Sequence, residues 1–151
     1  MGRYIGTSID VVRAILEADT PRPLAAMATP REPLRGIGRV FTGLMPAAPY
    51  AWVMPRTTTF DDSTEPETEY DLVTVKLGVT GGDPEALIEA ALDYVSAVDE
   101  ALRDAQTEEL DETILHLHVH AHDYGPVYEL KGAFARFPEI HLEVTRREVL
   151  R

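Results

Sequence analysis

Apolar residues in this chain follow two spacings, one helical and one alternating, and the changes between them mark out its elements. Ile9, Val12, Ile15 and Leu16 recur at helical spacing, which predicts a short helix from about Ser8 to Ala18 with Ser8 as its N-cap. Asp19-Thr20-Pro21-Arg22-Pro23 closes it, because each proline disfavours helical geometry in the residue before it. A loop with Pro30, Pro33, Gly36 and Gly38 follows, and Arg39 to Gly43 is expected as a short strand. Tyr50 to Met54 reads as another, bounded by Pro49 and Pro55. Residues 56–69 are polar, acidic and without period, so the region 56–70 is expected to be a flexible arm or loop.

From Tyr70 to Val79 the alternation is clean, with Val73, Val75, Leu77 and Val79 on one face and Leu72, Thr74, Lys76 and Gly78 on the other. Gly81-Gly82-Asp83-Pro84 then starts a helix: Asp83 can cap, Pro84 suits the first turn, and Glu85 favours the positive end of the dipole. Ile88, Ala91, Leu92, Val95, Val98 and Leu102 carry its apolar stripe to about Ala105, while Glu85, Glu89, Asp93, Glu100 and Arg103 lie away from it. An acidic turn at 106–112 leads to Thr113–Asp123, a strand in which His116, His118, His120 and His122 alternate with Leu115, Leu117, Val119 and Ala121. Tyr124-Gly125-Pro126 turns into a short strand at Val127–Leu130, interrupted by Gly132. Pro138 to Val149 places Ile140, Leu142 and Val144 opposite Glu139, His141, Glu143 and Thr145. The sum is an α+β fold: a mostly antiparallel sheet, one long and one short helix packed on one face, and an extended polar arm.

At 151 residues the chain is expected to be a single domain spanning 1–151. It has no cysteine, which removes disulfide frameworks, thiolate metal sites and cysteine nucleophiles. No apolar run approaches the roughly 20 residues needed to cross a bilayer, and no basic-then-apolar leader opens the chain. The formal net charge of −12, with only Lys76 and Lys131 as lysines, argues against gripping nucleic acid. No phosphate-binding loop is present, since Gly36-Ile-Gly38 lacks the remaining glycines and Gly81-Gly82 lacks a following Lys-Ser/Thr; no cofactor is expected.

The histidine strand suits two kinds of chemistry. As a metal site, His116, His118 and His120 are the candidate ligands, with Asp123 and His141 completing the set if folding brings them close; a row of four spans ~20 Å and cannot serve one ion. As a catalyst, His116-Leu-His118-Val-His120-Ala resembles the signature strand of the histidine-triad nucleotide hydrolases and transferases, a resemblance that implies His118 as nucleophile. Pro49-Tyr50-Ala-Trp-Val-Met-Pro55 also echoes a strand of that family. Two departures weigh against it: His122 stands where the family is apolar, and Glu109–Ile114 is acidic where the family binds phosphate. Otherwise the histidines simply line the wetter face of a sheet.

The order of elements, from the N-terminal helix through the Pro49–Pro55 strand, the polar insertion, Asp71–Val79, the Asp-Pro-initiated helix and Phe137-Pro-Glu-Ile-His-Leu-Glu-Val144, resembles the tail terminator (tail-completion, head–tail joining) proteins of long-tailed bacteriophages. That resemblance implies a structural virion protein without catalysis, a tail terminator or neck protein. Copies of it would form a hexameric ring that caps the tail tube and docks to head-neck connector proteins, with DNA passing through. It implies a place in the phage tail or neck after synthesis in the host cytoplasm, with no membrane partner. The interface residues expected on this basis are Phe60, Asp61, Asp62 and Tyr70 of the arm and Glu89 and Asp93 on the long helix.

Overall fold

The computed structural model describes residues 5–42, 47–63, 67–105 and 111–147. Its elements are α1 (Ile5–Asp19), α2 (Pro21–Ala25), β1 (Ile37–Gly38), β2 (Tyr50–Asp61), β3 (Thr68–Gly81), α3 (Pro84–Arg103), β4 (Ile114–Asp123), β5 (Val127–Leu130), β6 (Ala133–Arg136) and β7 (Glu139–Arg147). The main sheet runs β1–β2–β3–β7–β4, antiparallel except for the short parallel β1–β2 pair. Near its C-terminal end β3 leaves β7 and pairs with β6, which forms a hairpin with β5. This is the expected α+β architecture.

The alternation in β3 dictates the layering. Val73, Val75, Leu77 and Val79 face α1 and α3 together with Ala51 and Val53 of β2 and Ile140, Leu142 and Val144 of β7. Each such side chain taken fully out of water contributes about 1.5–3 kcal/mol. Asp83 caps α3 by accepting from the Glu85 N–H at 3.2 Å, as its sequence signals predict. The buried stripe of α3 is rotated from the expected one, however. Leu87, Tyr94 and Ala101 join Ala91, Val95, Val98 and Leu102 inside, while Ile88 and Leu92 stay 40% and 42% exposed. Hydrophobicity alone cannot say which flank of a broad stripe meets the sheet.

Four further expectations change. Ser8 is not a cap: α1 already includes Ile5, and the buried Ser8 hydroxyl donates to Asp71 Oδ2 at 2.5 Å. The strand expected at 39–43 is displaced to Ile37–Gly38, and Gly43 lies outside the described residues, as do 106–110 of the acidic turn. Just ahead of β1, glycine is required at position 36 because a Cβ there would sit 2.3 Å from the Tyr50 ring. An unforeseen strand, β6, follows Gly132, whose φ of +81° makes the turn that the sequence presented only as an interruption.

The largest change concerns 56–70. The expected arm or loop is a β-hairpin: Thr57–Asp61 pair with Thr68–Leu72, and β7 backs β3 as far as Thr68. A bulge at Arg56 shifts the register, so that Thr58, not Thr57, turns toward the helices. The inward face of β3 then continues past Val73 as Asp71 and Glu69, both fully buried. Arg146 of β7, 1% exposed, lies between them: its Nε donates to Asp71 Oδ2 at 3.2 Å and its Nη2 pairs with Glu69 Oε2. Thr58 donates to the other oxygen of Asp71 at 2.7 Å. Of the acidic residues in 56–70, Glu69 is thus not solvated but paired with a buried arginine, which also holds Asp71.

Arg146→Leu would leave two carboxylates buried without their cation. Urea denaturation should show a loss of about 3–5 kcal/mol, whereas Arg147→Leu on the exposed side of the same strand should stay within about 0.5 kcal/mol of wild type.

Candidate functional site

The histidines do not share a face. β4 pairs with β7 through two bulges, between Ile114 and His116 and between Val119 and Ala121. Each extra residue reverses the alternation beyond it. Ile114, Leu117, Val119 and His122 therefore stand opposite the inward residues Arg146, Val144, Leu142 and Ile140, while His116 and His118 stand opposite the outward Thr145 and Glu143. Leu115, expected inside, is 47% exposed.

The expected metal set is accordingly dispersed. His116 and His118 stack with ring centroids 6.2 Å apart on the exposed outer face. His120, the second bulged residue, lies instead beside His141 of β7, 6.3 Å between centroids. His122 crosses to the helix side, where its Nε2 lies 2.9 Å from Asp99 Oδ1 of α3. His118 cannot reproduce a triad nucleophile under a covering helix, because α3 packs on the opposite face of the sheet. Asp123 and His141 do meet, but with Glu139 as their third member: ligand atoms of these three lie within 4.8 Å of one another.

Asp123 and Glu139 border two shallow cavities on the outer face, and His141 borders the first of them. One, of about 470 Å³, is lined by Met54, Pro55, Arg56 and Thr74 besides the trio. The other, of about 440 Å³, lies between Lys76, Tyr128, Phe137 and Phe41. There Trp52 meets Phe41 edge-on at 4.8 Å, Phe41 meets Phe137 at 5.7 Å, and the Lys76 ammonium sits 4.3 Å above the Phe41 ring. Sequence reasoning missed this aromatic cluster. Its only local signal was Tyr50 and Trp52 alternating with Ala51 and Val53; Phe41 and Phe137 come from loops that only the fold brings in.

The expected interface residues do not form one patch. The hairpin turn and the start of α3 lie at opposite ends of β3, which at 14 residues is ~46 Å long. Phe60 is 56% exposed near the turn and Asp62 is exposed beside it. Ser63 donates its backbone N–H and hydroxyl to Asp61 at 3.0 and 2.5 Å, which holds that carboxyl below its ordinary pKa. Tyr70 is half-buried on the outer face. On α3, Glu89 is exposed, but Asp93 is occupied by Arg31 at 2.8 Å. Next to it the Tyr94 hydroxyl donates to the Glu32 carbonyl at 2.8 Å; burial first, and then the Glu32 charge, push its pKa up to about 12. Asp93 and Tyr94 thus fasten the 30s loop to α3.

No protein-family model matches the chain, and no curated protein matches it. Among solved structures, a chain in the virion of a native gene transfer agent particle shares its fold, with a TM-score of 0.60 over 97% of this chain and 99% of that one. Sequence identity across that alignment is 12%, so the likeness is one of fold.

The α3–β4 contact gives a pH-dependent expectation. Burial opposes the charge on Asp99, yet hydrogen bonds from Arg103 and His122 outweigh it and hold the carboxyl below its ordinary 3.8. A group whose folded pKa is lowered stabilises the fold above its unfolded value and loses that contribution as pH falls through the folded one. Wild type should therefore exceed Asp99→Asn in urea midpoint near neutral pH, with the gap closing below pH 3.8.

Proposed function

We propose that this protein is a structural component of a phage-like virion, specifically a tail terminator or neck protein whose copies form a ring that caps the tail tube and joins it to the head. The observation that carries this reading is the end-to-end fold likeness to a chain of a gene transfer agent virion, which leaves almost no residue of either chain outside the alignment. The order of elements in the sequence supports the more specific role.

The shape suits assembly through surfaces. Among the described residues, no strand pairs with the outer edge of β2 beyond Trp52 or with the outer edge of β4. Such edges invite strand pairing from neighbouring copies. The hairpin turn carries exposed Phe60 and Asp62 beyond the helix-covered part of the sheet, in position to reach a neighbouring copy or a tail-tube subunit. A net charge of −12 suits a ring through which DNA slides without adhering. The partners are then further copies of this chain in a ring of six, the tail-tube protein and the head-neck connectors. The protein would act in the virion, at the tail or neck, after synthesis in the host cytoplasm, with no catalytic step of its own.

Electron microscopy of the protein mixed with tail tubes from the same genome should show rings closing the tube ends. Phe60→Ser should reduce capping at least tenfold with little change in thermal midpoint. Uncapped tubes at saturating wild-type protein would overturn the terminator role.

A further inference from the structure

Independently of that role, we propose that Asp123, Glu139 and His141 form a divalent transition-metal site, of the kind that takes Zn²⁺, on the outer face of the sheet. The register creates it. Asp123 of β4 and Glu139 of β7 are direct cross-strand partners, and His141, two residues along β7, shares their face. Like charges placed opposite each other in an antiparallel pair repel, and a cation between them turns that repulsion into chelation. The three ligand atoms already lie within 4.8 Å of one another. Closing them to the roughly 3.3 Å separation of a tetrahedral zinc shell is a side-chain adjustment, since Asp123 is exposed and Glu139 half-buried.

The surrounding hydrogen bonds orient the ligands as metal sites require. Asp123 Oδ1 accepts from the Gly125 N–H at 3.0 Å. Thr74 Oγ1 lies 3.1 Å from His141 Nδ1, so an Nδ1–H donating to it leaves the lone pair on Nε2, the nitrogen 3.4 Å from Glu139 Oε1. Two cations compete. Lys76 approaches Glu139 Oε2 at 3.5 Å, but its ammonium has the Phe41 ring as a second partner at 4.3 Å. Arg56 Nη1 lies 3.3 Å from His141 Nδ1 and, being exposed, can turn outward. One imidazole and two carboxylates leave an open coordination position facing the cavity of about 470 Å³. The metal would clasp β4 to β7 on the face that the helices leave uncovered.

Untagged protein stripped with a chelator and titrated with zinc chloride at pH 7 in a calorimeter tests this. Wild type should take up one equivalent saturably. His141→Ala and the Asp123→Asn/Glu139→Gln double variant should bind at least tenfold more weakly, while His116→Ala/His118→Ala should bind as wild type. No saturable uptake, uptake retained in every variant, or uptake lost only with His116 and His118 would each overturn the proposal. Should the variants fail to fold, imidazole NMR of the wild type decides: zinc must shift the His141 ring signals before those of His116 and His118, and the opposite order overturns the site.

Discussion

The pairing register of β3 constrains everything else in this molecule. That strand contacts β2 on one side and β7 and then β6 on the other, so a slip by one residue would turn Val73, Val75, Leu77 and Val79 out of the core and Leu72, Thr74 and Lys76 into it. For most of its length the apolar alternation fixes the register. At the hairpin root the same face carries Glu69 and Asp71, and there the register is fixed by charge: only one alignment lays Arg146 between the two carboxylates, with the Ser8 and Thr58 hydroxyls on the remaining Asp71 positions. A buried ionic cluster seldom adds net stability over apolar packing. Here it ties α1, β2, β3 and β7 to one geometry and extends the sheet beyond its apolar core.

The sheet's two faces have different tasks. The inner face is conventional, with valine, isoleucine and leucine against two amphipathic helices. Among the described residues no helix covers the outer face, which is a mosaic: an aromatic cluster around Trp52 at one end, the Asp123–Glu139–His141 row beside it, and the stacked His116–His118 pair farther along β4. The bulges in β4 decide this distribution. Without them the imidazoles would form a single row on one face; with them, His116 and His118 face outward, His122 faces inward to Asp99 and joins sheet to helix, and His120 is set beside His141.

A fold shared with a virion chain at 12% identity transmits architecture and leaves surface chemistry to each sequence. That fits the structural role proposed above, in which edges and projections do the work. Among the described residues two strand edges and one hairpin end of the sheet are open, and in the proposed role these would meet neighbouring copies.

How much of this was legible in the sequence depended on the range of the interactions. The α+β class, the inward faces of β3 and β7, the Asp83 cap and the long helix followed from local rules, because helix and strand periods and caps act within a few residues. The interior of the hairpin did not, because Glu69 and Asp71 look solvated until Arg146, some 75 residues along the chain from Asp71, arrives to neutralise them. Nor did the bulges at Leu115 and His120, which answer to the partner strand; the spacing of the histidines was plain, but their faces were set by β7. Asp123 and His141 are separately legible as candidates, but Glu139 joins them only through cross-strand register, and Phe41 and Phe137 reach the neighbouring aromatic cluster from loops that only the fold brings in. Local periodicity thus determined what each segment is, and long-range pairing decided which side chains meet, because a strand's partner and register are properties of two distant segments and are written in neither alone.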